Sequence, residues 1–270
     1  MFRTTKISLA AAASIAVAAL SLGVRAEAGQ QKPFEPQVGQ SGKDVVWVPT
    51  PDATVNKMLE LTKITPNDLL MDLGSGDGKT VIAAARRGTR AIGVEFNPDM
   101  VALSERRAKE AGVSNLATFI RGDIFETDFS KATVVTLFLL PDLNLRLRPK
   151  ILDMKPGTRV ASNSFTMGEW EDDQTATVSE GCTSWCTVHF WIVPAKVAGR
   201  WTVGNETLTL TQEFQKVTGT LGSTSVTGRL TGEEITITAG ARTLRGRVNG
   251  NTITGTVTGG AGGSFTATKQ

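Results

Sequence analysis

The sequence feature that most constrains the fold is a glycine-rich turn between an apolar strand and a helix. Leu69–Leu73 is a short apolar run, Gly74 and Gly76 follow directly, and Lys79–Arg87 is rich in alanine. Glycine has no Cβ, so the backbone can turn sharply there and a ligand can approach it closely. A strand, a glycine turn and a helix in this order predict a βαβ unit of a parallel sheet.

Strands and helices continue to alternate after this unit. Strands are predicted at 69–73, 90–95, 117–121, 133–140 and 158–162, with helices at 79–87, 99–111 and 143–154. This alternation is typical of an α/β sheet with right-handed crossovers. A further strand at 188–193 is predicted to be antiparallel, and the whole α/β domain is assigned to residues 45–194.

A helix is also predicted just before the first strand. Val45–Pro51 is an extended apolar segment, because proline restricts the residue that precedes it. Thr50 is predicted as the N-cap of the helix, with Pro51 at the first helical position.

The composition changes after Pro194. Residues 198–270 are dominated by Thr, Gly and Val, in short alternating runs separated by turns such as Asn249-Gly250-Asn251. Asn-Gly between alternating runs is a strong hairpin signal. We therefore predict a separate all-β meander of about eight strands that forms a small barrel or sandwich. No catalytic group of residues stands out in it, and contact with a partner protein is its expected role.

The N-terminal segment is typical of a signal peptide. Arg3 and Lys6 precede the apolar run Ile7–Leu22, and Ala26-Glu27-Ala28 is a small-x-small cleavage motif. We predict a cleaved signal peptide at 1–28, a linker at 29–44, and export to the periplasm or beyond. The alternative is an uncleaved N-terminal anchor. No other stretch approaches the ~20 apolar residues of a membrane-spanning helix.

The net charge argues against nucleic-acid binding. Lys and Arg number 29 against 26 for Asp and Glu, a net charge of +3. Removal of residues 1–28 takes away three cations and one anion, which leaves +1. Nucleic-acid binding normally needs a basic patch.

Cys182 and Cys186 are the two cysteines of the chain. Export permits a disulfide between them, which is the favoured prediction. A metal site completed by His189 would have three close ligands at most and is disfavoured, and buried free thiols are the remaining alternative.

The charges around the glycine turn favour S-adenosylmethionine over a dinucleotide. A dinucleotide places its pyrophosphate at the helix N-terminus, where Asp77 would repel it. The third glycine of the dinucleotide motif is also replaced by Lys79. S-adenosylmethionine carries a cationic sulfonium and an ammonium, which suit Asp72 and Asp77 better.

Two further carboxylates follow the next predicted strands. Glu95 ends the second strand, where an acidic side chain can accept hydrogen bonds from ribose hydroxyls. Asp123 follows the third strand and can bind an adenine amino group, while Ile124 and Phe125 offer apolar contact to the ring. Open α/β sheets bind ligands along the edge where these strands end.

The segment Asp72-Leu73-Gly74-Ser75-Gly76-Asp77-Gly78, with Glu95, resembles the cofactor motifs of class I S-adenosylmethionine-dependent methyltransferases. With residues 47–51 and 136–149, the pattern resembles a bacterial branch similar to the lysine N-methyltransferases that modify an ATP synthase protein of mitochondria. The resemblance spans about residues 45–165. It implies a Rossmann-like class I fold, with Asp72, Gly74 and Gly76 at the methionine end of the cofactor, and Thr50 and Pro51 closing over it.

The acceptor pocket is expected after the fourth strand, at Leu140, Pro141 and Asp142. Asp142 would orient or deprotonate an acceptor amine. The alternative is that Asp142 caps the helix predicted to begin at Leu143. Asn163, after the fifth strand, is a further pocket candidate.

The function expected from the residues and the resemblance is methyl transfer to an amine, with a protein lysine as acceptor. Displacement at a sulfonium carbon depends mainly on positioning, so an acid–base pair is not required. The alternative is a non-catalytic envelope binding protein or scaffold that retains a nucleoside-type pocket. A nicotinamide-dependent oxidoreductase is disfavoured by the glycine-turn charges.

Overall fold

The computed structural model describes residues 1–2, 34–260 and 262–270. Apart from its first two residues, the predicted signal peptide lies outside this range, as does the first part of the predicted linker. Residues Phe34–Gln270 form one compact unit. Within the described ranges, no helix has both the length and the apolar character needed to cross a membrane.

The first part of this unit is a seven-stranded sheet flanked by four helices. Its elements are α1 Asp52–Leu61, β1 Leu69–Leu73, α2 Lys79–Arg86, β2 Arg90–Glu95, α3 Pro98–Glu110, β3 Ala117–Arg121, β4 Val134–Leu137, α4 Pro141–Leu152, β5 Arg159–Asn163, β6 Gln174–Thr177 and β7 Thr187–Ile192. The strand order is β3-β2-β1-β4-β5-β7-β6. Strands β1 to β5 are parallel, and β7 runs antiparallel to β5. The predicted α/β sheet is confirmed.

The centre of the sheet is buried on both faces. All four residues of β4 are buried, because helices cover each side of the strand. One apolar cluster contains Leu73, Leu137 and Leu147, and the other contains Leu70 and Val81. A nearly continuous apolar sequence is what a strand with two covered faces requires.

The N-terminal caps of two helices differ from the sequence predictions. Helix α1 begins at Asp52 after Pro51 as N-cap, so the prediction of Thr50 as N-cap is wrong by one residue. Helix α4 begins at Pro141 after Leu140, which places Asp142 in the first turn and not at a cap before Leu143. Proline is well suited to the first helical position, since its missing N–H has no intrahelical acceptor there.

The C-terminal part is a closed barrel of eight antiparallel strands. They are β8 Gly199–Val203, β9 Glu206–Glu213, β10 Lys216–Leu221, β11 Thr224–Thr231, β12 Glu234–Ala239, β13 Arg242–Asn249, β14 Thr252–Thr258 and β15 Gly263–Lys269. Each strand pairs with the next in sequence, and β15 pairs back to β8. The predicted meander is confirmed and forms a barrel, not a sandwich. Its interior is filled by Trp201, Leu208, Leu230, Ile253 and other buried apolar side chains.

The barrel packs against the sheet through the β9–β10 turn. Phe214 of this turn stacks on the buried Trp170, with ring centroids 6.3 Å apart. The Gln215 side chain is buried and donates a 2.7 Å hydrogen bond to the backbone carbonyl of Glu171. Lys216 adds a 2.7 Å ion pair with the Glu171 carboxylate. Apolar stacking and a satisfied buried amide join the barrel to the sheet domain.

Candidate active site

The candidate site is a cavity at the carboxyl edge of the parallel strands. Gly74 and Gly76 have φ values of +81° and +52°, a region that L side chains rarely adopt. They carry the chain from β1 into α2 and leave room above the strand ends. The cavity is lined in part by Asp72, Gly74, Ser75, Gly76, Glu95, Asp123, Ile124, Thr50 and Phe138. The strand ends therefore gather most of the residues predicted for the cofactor.

Asp72 is the most perturbed acid of the site. Its side chain is buried, and its Oδ1 accepts a 2.6 Å hydrogen bond from the Thr136 hydroxyl. Burial raises the pKa of Asp72 to about 7, and the nearby Asp77 and Glu95 charges act in the same direction. A buried carboxyl with this pKa is stabilised as an anion when a cation binds beside it.

Glu95 is held in place by backbone donors. Gly76 N–H donates to its Oε2 at 3.0 Å, and Asn97 N–H donates to its Oε1 at 2.9 Å. These bonds tie the end of β2 to the glycine turn. The carboxylate lines the cavity with remaining acceptor capacity for ribose hydroxyls.

Asp123 has an unexpected partner. Its Oδ1 accepts a 2.8 Å hydrogen bond from Phe125 N–H, and its Oδ2 pairs with the Lys43 ammonium. The hydrogen bond from Lys43 lowers the pKa of Asp123. Ile124, next to Asp123, is buried in the cavity wall.

Residues 40–50, which we name the arm, cover the cavity. A backbone bridge between Ser41 and Val46 folds the arm on itself, and the Lys79 ammonium donates a 2.9 Å hydrogen bond to the carbonyl of Thr50. The Trp47 ring lies against the glycine turn, because a Cβ on Gly76 would stand 2.9 Å from its Nε1. The sequence prediction of a linker at 29–44 missed this role. The sequence held one partial signal, a lysine placed just before the apolar segment, and no signal for its partner Asp123.

Asp77 lines the cavity but is also paired with a cation of the protein. Its Oδ2 accepts a 2.6 Å hydrogen bond from the Arg107 guanidinium of α3, which also binds Glu35 at 3.0 Å. The ion pair offsets part of the Asp77 charge, so Asp77 supplies less attraction for a cationic cofactor than it would without Arg107.

The residues predicted for the acceptor lie beside the cavity. Leu140, Pro141 and Asp142 are exposed, and the wall near them is made by Leu137, Phe138, Leu139 and Leu143. Asn163 is fully buried; its Oδ1 accepts a 2.8 Å hydrogen bond from Ser164, and its Nδ2 has no partner among the described residues.

Cys182 and Cys186 form a disulfide in the loop between β6 and β7. His189 does not approach these sulfurs as a ligand, since its Nδ1 is hydrogen-bonded to Asp172 at 2.8 Å. The imidazole instead joins β7 to the segment before β6.

The lining chemistry fits S-adenosylmethionine. The buried Asp72 is suited to a positive charge, Glu95 to ribose hydroxyls, and Asp123 to an exocyclic amino group. Lys79, the basic residue at the start of α2, is paired with Asp52 at 2.8 Å and with the arm. Its charge is therefore already engaged and is poorly suited to holding a pyrophosphate.

Comparison with known sequences identifies the family. The profile of the ANTKMT methyltransferase domain matches residues 72–174. A protein-lysine N-methyltransferase of Saccharolobus islandicus (strain REY15A) is 38% identical over 152 residues, which are 55% of this chain and 94% of that protein. The chain belongs to this family of class I methyltransferases. A Mus musculus relative, a lysine N-methyltransferase named for a component of ATP synthase, is 39% identical over 107 residues, 39% of this chain.

The lengths matched differ between relatives. The chain spans 43% of the mouse protein and 54% of the Homo sapiens protein that bears the same name. It spans 94% of the archaeal protein. The matched profile ends at residue 174, so β7 and the barrel lie beyond it.

A solved structure of a similar protein supports the predicted cofactor. A protein of Salinibacter ruber, described as an RNA methyltransferase in complex with S-adenosyl-L-homocysteine, superposes with a TM-score of 0.53 at 47% identity. The match covers 56% of this chain and 96% of that one. The methyltransferase described here is an S-adenosylmethionine-dependent enzyme, which confirms the predicted family, fold and cofactor and leaves the scaffold alternative without support.

Proposed function

We propose that this methyltransferase N-methylates a lysine side chain of a protein partner. The observation that carries the proposal is the 38% identity to a protein-lysine N-methyltransferase over 94% of that protein's length. The shape of the cavity wall supports it, because Phe138, Leu139 and Leu143 offer an apolar path suited to an aliphatic stem.

S-adenosylmethionine, when bound, supplies an electrophilic methyl carbon on a sulfonium. Asp72 faces its positive end as a carboxylate, and Glu95 holds the ribose hydroxyls through its free acceptor capacity. The lone pair of the acceptor nitrogen forms the new N–C bond while the C–S bond breaks and the sulfur keeps the bonding pair. A proton then leaves the nitrogen. The arm and the glycine turn contribute by positioning and by excluding water.

The acceptor amine must be uncharged to act as a nucleophile. An ammonium that enters the apolar wall at Phe138 and Leu139 loses hydration, and desolvation lowers the pKa of a lysine. The wall can therefore favour loss of the proton without a dedicated base. Asp142 remains a predicted orienting group at the exposed start of α4.

RNA is a second candidate acceptor, favoured by the description of the Salinibacter ruber relative. The near-neutral charge of residues 29–270 opposes it, since phosphate binding depends on clustered cations.

The test is methyl transfer from radiolabelled S-adenosylmethionine to three acceptors: lysine-containing peptides, the same peptides with norleucine in place of lysine, and total bacterial RNA. We expect label on the lysine peptides alone, with mass spectrometry placing it on the side chain. The Asp72→Asn variant is the control for enzyme-dependent label. Label confined to RNA would overturn the proposal in favour of the second candidate.

We also propose that the enzyme works in the periplasm or outside the cell. The basic, apolar and small-x-small features of residues 1–28 support this, and a disulfide is characteristic of oxidising compartments. Fractionation of cells that express the full chain, with N-terminal sequencing of the product, tests the proposal. We expect periplasmic protein that begins at Gly29, whereas cytoplasmic protein with Met1 retained would refute it.

A further inference from the structure

The loop between β6 and β7 reaches the cofactor edge of the sheet. Because β7 runs antiparallel to β5, its first residues lie beside the end of β5, where Val188 pairs with Asn163. The backbone N–H of Ser164 donates to the carbonyl of Thr187 at 2.7 Å. Residues 178–186, which we name the disulfide loop, therefore stand at the edge where the parallel strands end.

Two sets of bonds hold the disulfide loop in shape. The Cys182–Cys186 disulfide closes it, and the N–H of Val178 donates to the carbonyl of Cys186 at 2.8 Å. The hydroxyl of Thr54, in the first turn of α1, donates to the carbonyl of Trp185 at 3.2 Å. The loop thus bridges to the helix that directly follows the arm.

The loop places one aromatic ring against two others. Trp185 lies 5.7 Å from Phe138 and 5.6 Å from Phe165, measured between ring centroids, and the two phenylalanines are 6.3 Å apart. We name these three residues the aromatic cluster. Phe138 lines the cofactor cavity, while Trp185 is 43% exposed. The aromatic cluster is therefore continuous from solvent to the cavity.

The backbone of Trp185 is strained. Its φ of +60° is unusual for a bulky side chain, and such strain persists where the surrounding structure enforces it and is often found at functional sites. A half-exposed tryptophan gains less from burial than a core residue. Stability alone therefore accounts poorly for an enforced, exposed ring at the mouth of the cavity.

We propose that the aromatic cluster is the acceptor subsite of the enzyme and takes the stem and the amine of a lysine side chain. This rests on the proposed lysine methylation. The ring faces attract an ammonium through their quadrupoles and pack on the methylene stem. Phe138 lines the cavity, so a nitrogen that passes its ring lies beside the cofactor site. Because the disulfide loop presents Trp185, the subsite requires the oxidised loop.

Kinetics of Trp185 variants give the first test. With Nα-acetyl-L-lysine methylamide as acceptor, we expect Trp185→Ala to raise KM about fivefold, through the loss of a half-exposed cation–π contact. Trp185→Phe should recover most of the affinity, and S-adenosylmethionine Kd should stay unchanged in both. Val38→Ala, at a 71% exposed apolar residue outside the aromatic cluster, is the control. An unchanged KM in Trp185→Ala would overturn the proposal.

Fluorine NMR of protein labelled with 5-fluorotryptophan tests binding without turnover. The chain has five tryptophans, and Trp185→Phe assigns the resonance of interest. We expect the lysine methylamide to shift this resonance selectively and the norleucine analogue not to. A shift without turnover of any lysine acceptor would support the subsite and refute lysine methylation. If lysine peptides are methylated but the Trp185 resonance does not shift, the proposed subsite is refuted while lysine methylation stands.

The disulfide supplies a separate test. The Cys182→Ser/Cys186→Ser double variant should raise the acceptor KM in the same direction as Trp185→Ala, with S-adenosylmethionine Kd unchanged. Reduction of the wild type should reproduce the effect, and the double variant should be insensitive to the reductant. Equal acceptor KM values for the oxidised wild type and the double variant would contradict the role of the oxidised loop.

Discussion

Replacement of Asp72 by asparagine should stabilise the cofactor-free enzyme while it weakens cofactor binding. The buried carboxyl has a pKa of about 7, raised from 3.8 mainly by loss of hydration. In the unfolded chain the same group ionises near its ordinary pKa. The folded protein therefore binds a proton that the unfolded chain releases, and stability falls as the pH rises from 3.8 to 7. Asparagine has the same shape and no such penalty.

The magnitude follows from the shift. Each unit of pKa difference corresponds to about 1.4 kcal/mol, so the full penalty of Asp72 above pH 7 is on the order of 4 kcal/mol. At pH 5 the penalty is roughly 2 kcal/mol, because only the interval above the unfolded pKa contributes. The advantage of Asp72→Asn in free energy of unfolding should thus grow by about 3 kcal/mol between pH 5 and pH 8.

Urea unfolding at pH 5, 6, 7 and 8, followed by tryptophan fluorescence, measures this difference. Trp170 and Trp191 are buried in the sheet domain and report its transition. Thr136→Val is the matched control: it removes the 2.6 Å hydrogen bond to the carboxylate, so the pKa of Asp72 should rise further and its pH dependence should extend above 7. A stability difference between wild type and Asp72→Asn that stays flat from pH 5 to 8 would refute the reasoning.

Three further predictions follow from contacts of the site and the barrel. Glu95→Gln should raise the S-adenosylmethionine Kd about tenfold by calorimetry, through a weaker acceptor for ribose hydroxyls and for the N–H of Gly76. Gly76→Ala should weaken cofactor binding at least as much, because its Cβ would meet the Trp47 ring at 2.9 Å. The control is Gly112→Ala: Gly112 also has a positive φ, +70°, but has open space around it, so this change should cost only about 1 kcal/mol of stability. Phe214→Ala should destabilise the sheet domain by roughly 3 kcal/mol in urea unfolding, and an unchanged midpoint would contradict the packing described.

Much of the sheet was predictable because its signals are local. The apolar runs that became β1 and β4 are bounded by glycine or by charged residues, and the glycine turn marks the change from strand to helix. Asp72, Glu95 and Asp123 could be placed at one edge because parallel strands end on the same side. The alternating Thr and Val of the barrel likewise predicts half-buried strands. Its closure, which depends on pairing between β15 and β8, carries no local signal.

The Lys43–Asp123 pair and the aromatic cluster were missed because they depend on long-range contacts. Lys43 pairs with Asp123, a separation of 80 residues, and nothing near Lys43 predicts that partner. Trp185 comes together with Phe138 and Phe165 from three different loops. The ion pair of Asp77 with the guanidinium of Arg107, which comes from a helix later in the sequence, likewise had no local signal.

Closure of the barrel by its last strand has a consequence for biosynthesis. Ala267–Lys269 of β15 pair with Trp201–Val203 of β8, the first barrel strand to be made, and the N–H of Gln270 donates to the carbonyl of Arg200 at 2.9 Å. Until β15 arrives, β8 and β14 present open hydrogen-bonding edges, which are sites for pairing with other chains. The chain is therefore most prone to aggregate in the interval before β15 is made, and loss of β15 would make that state permanent.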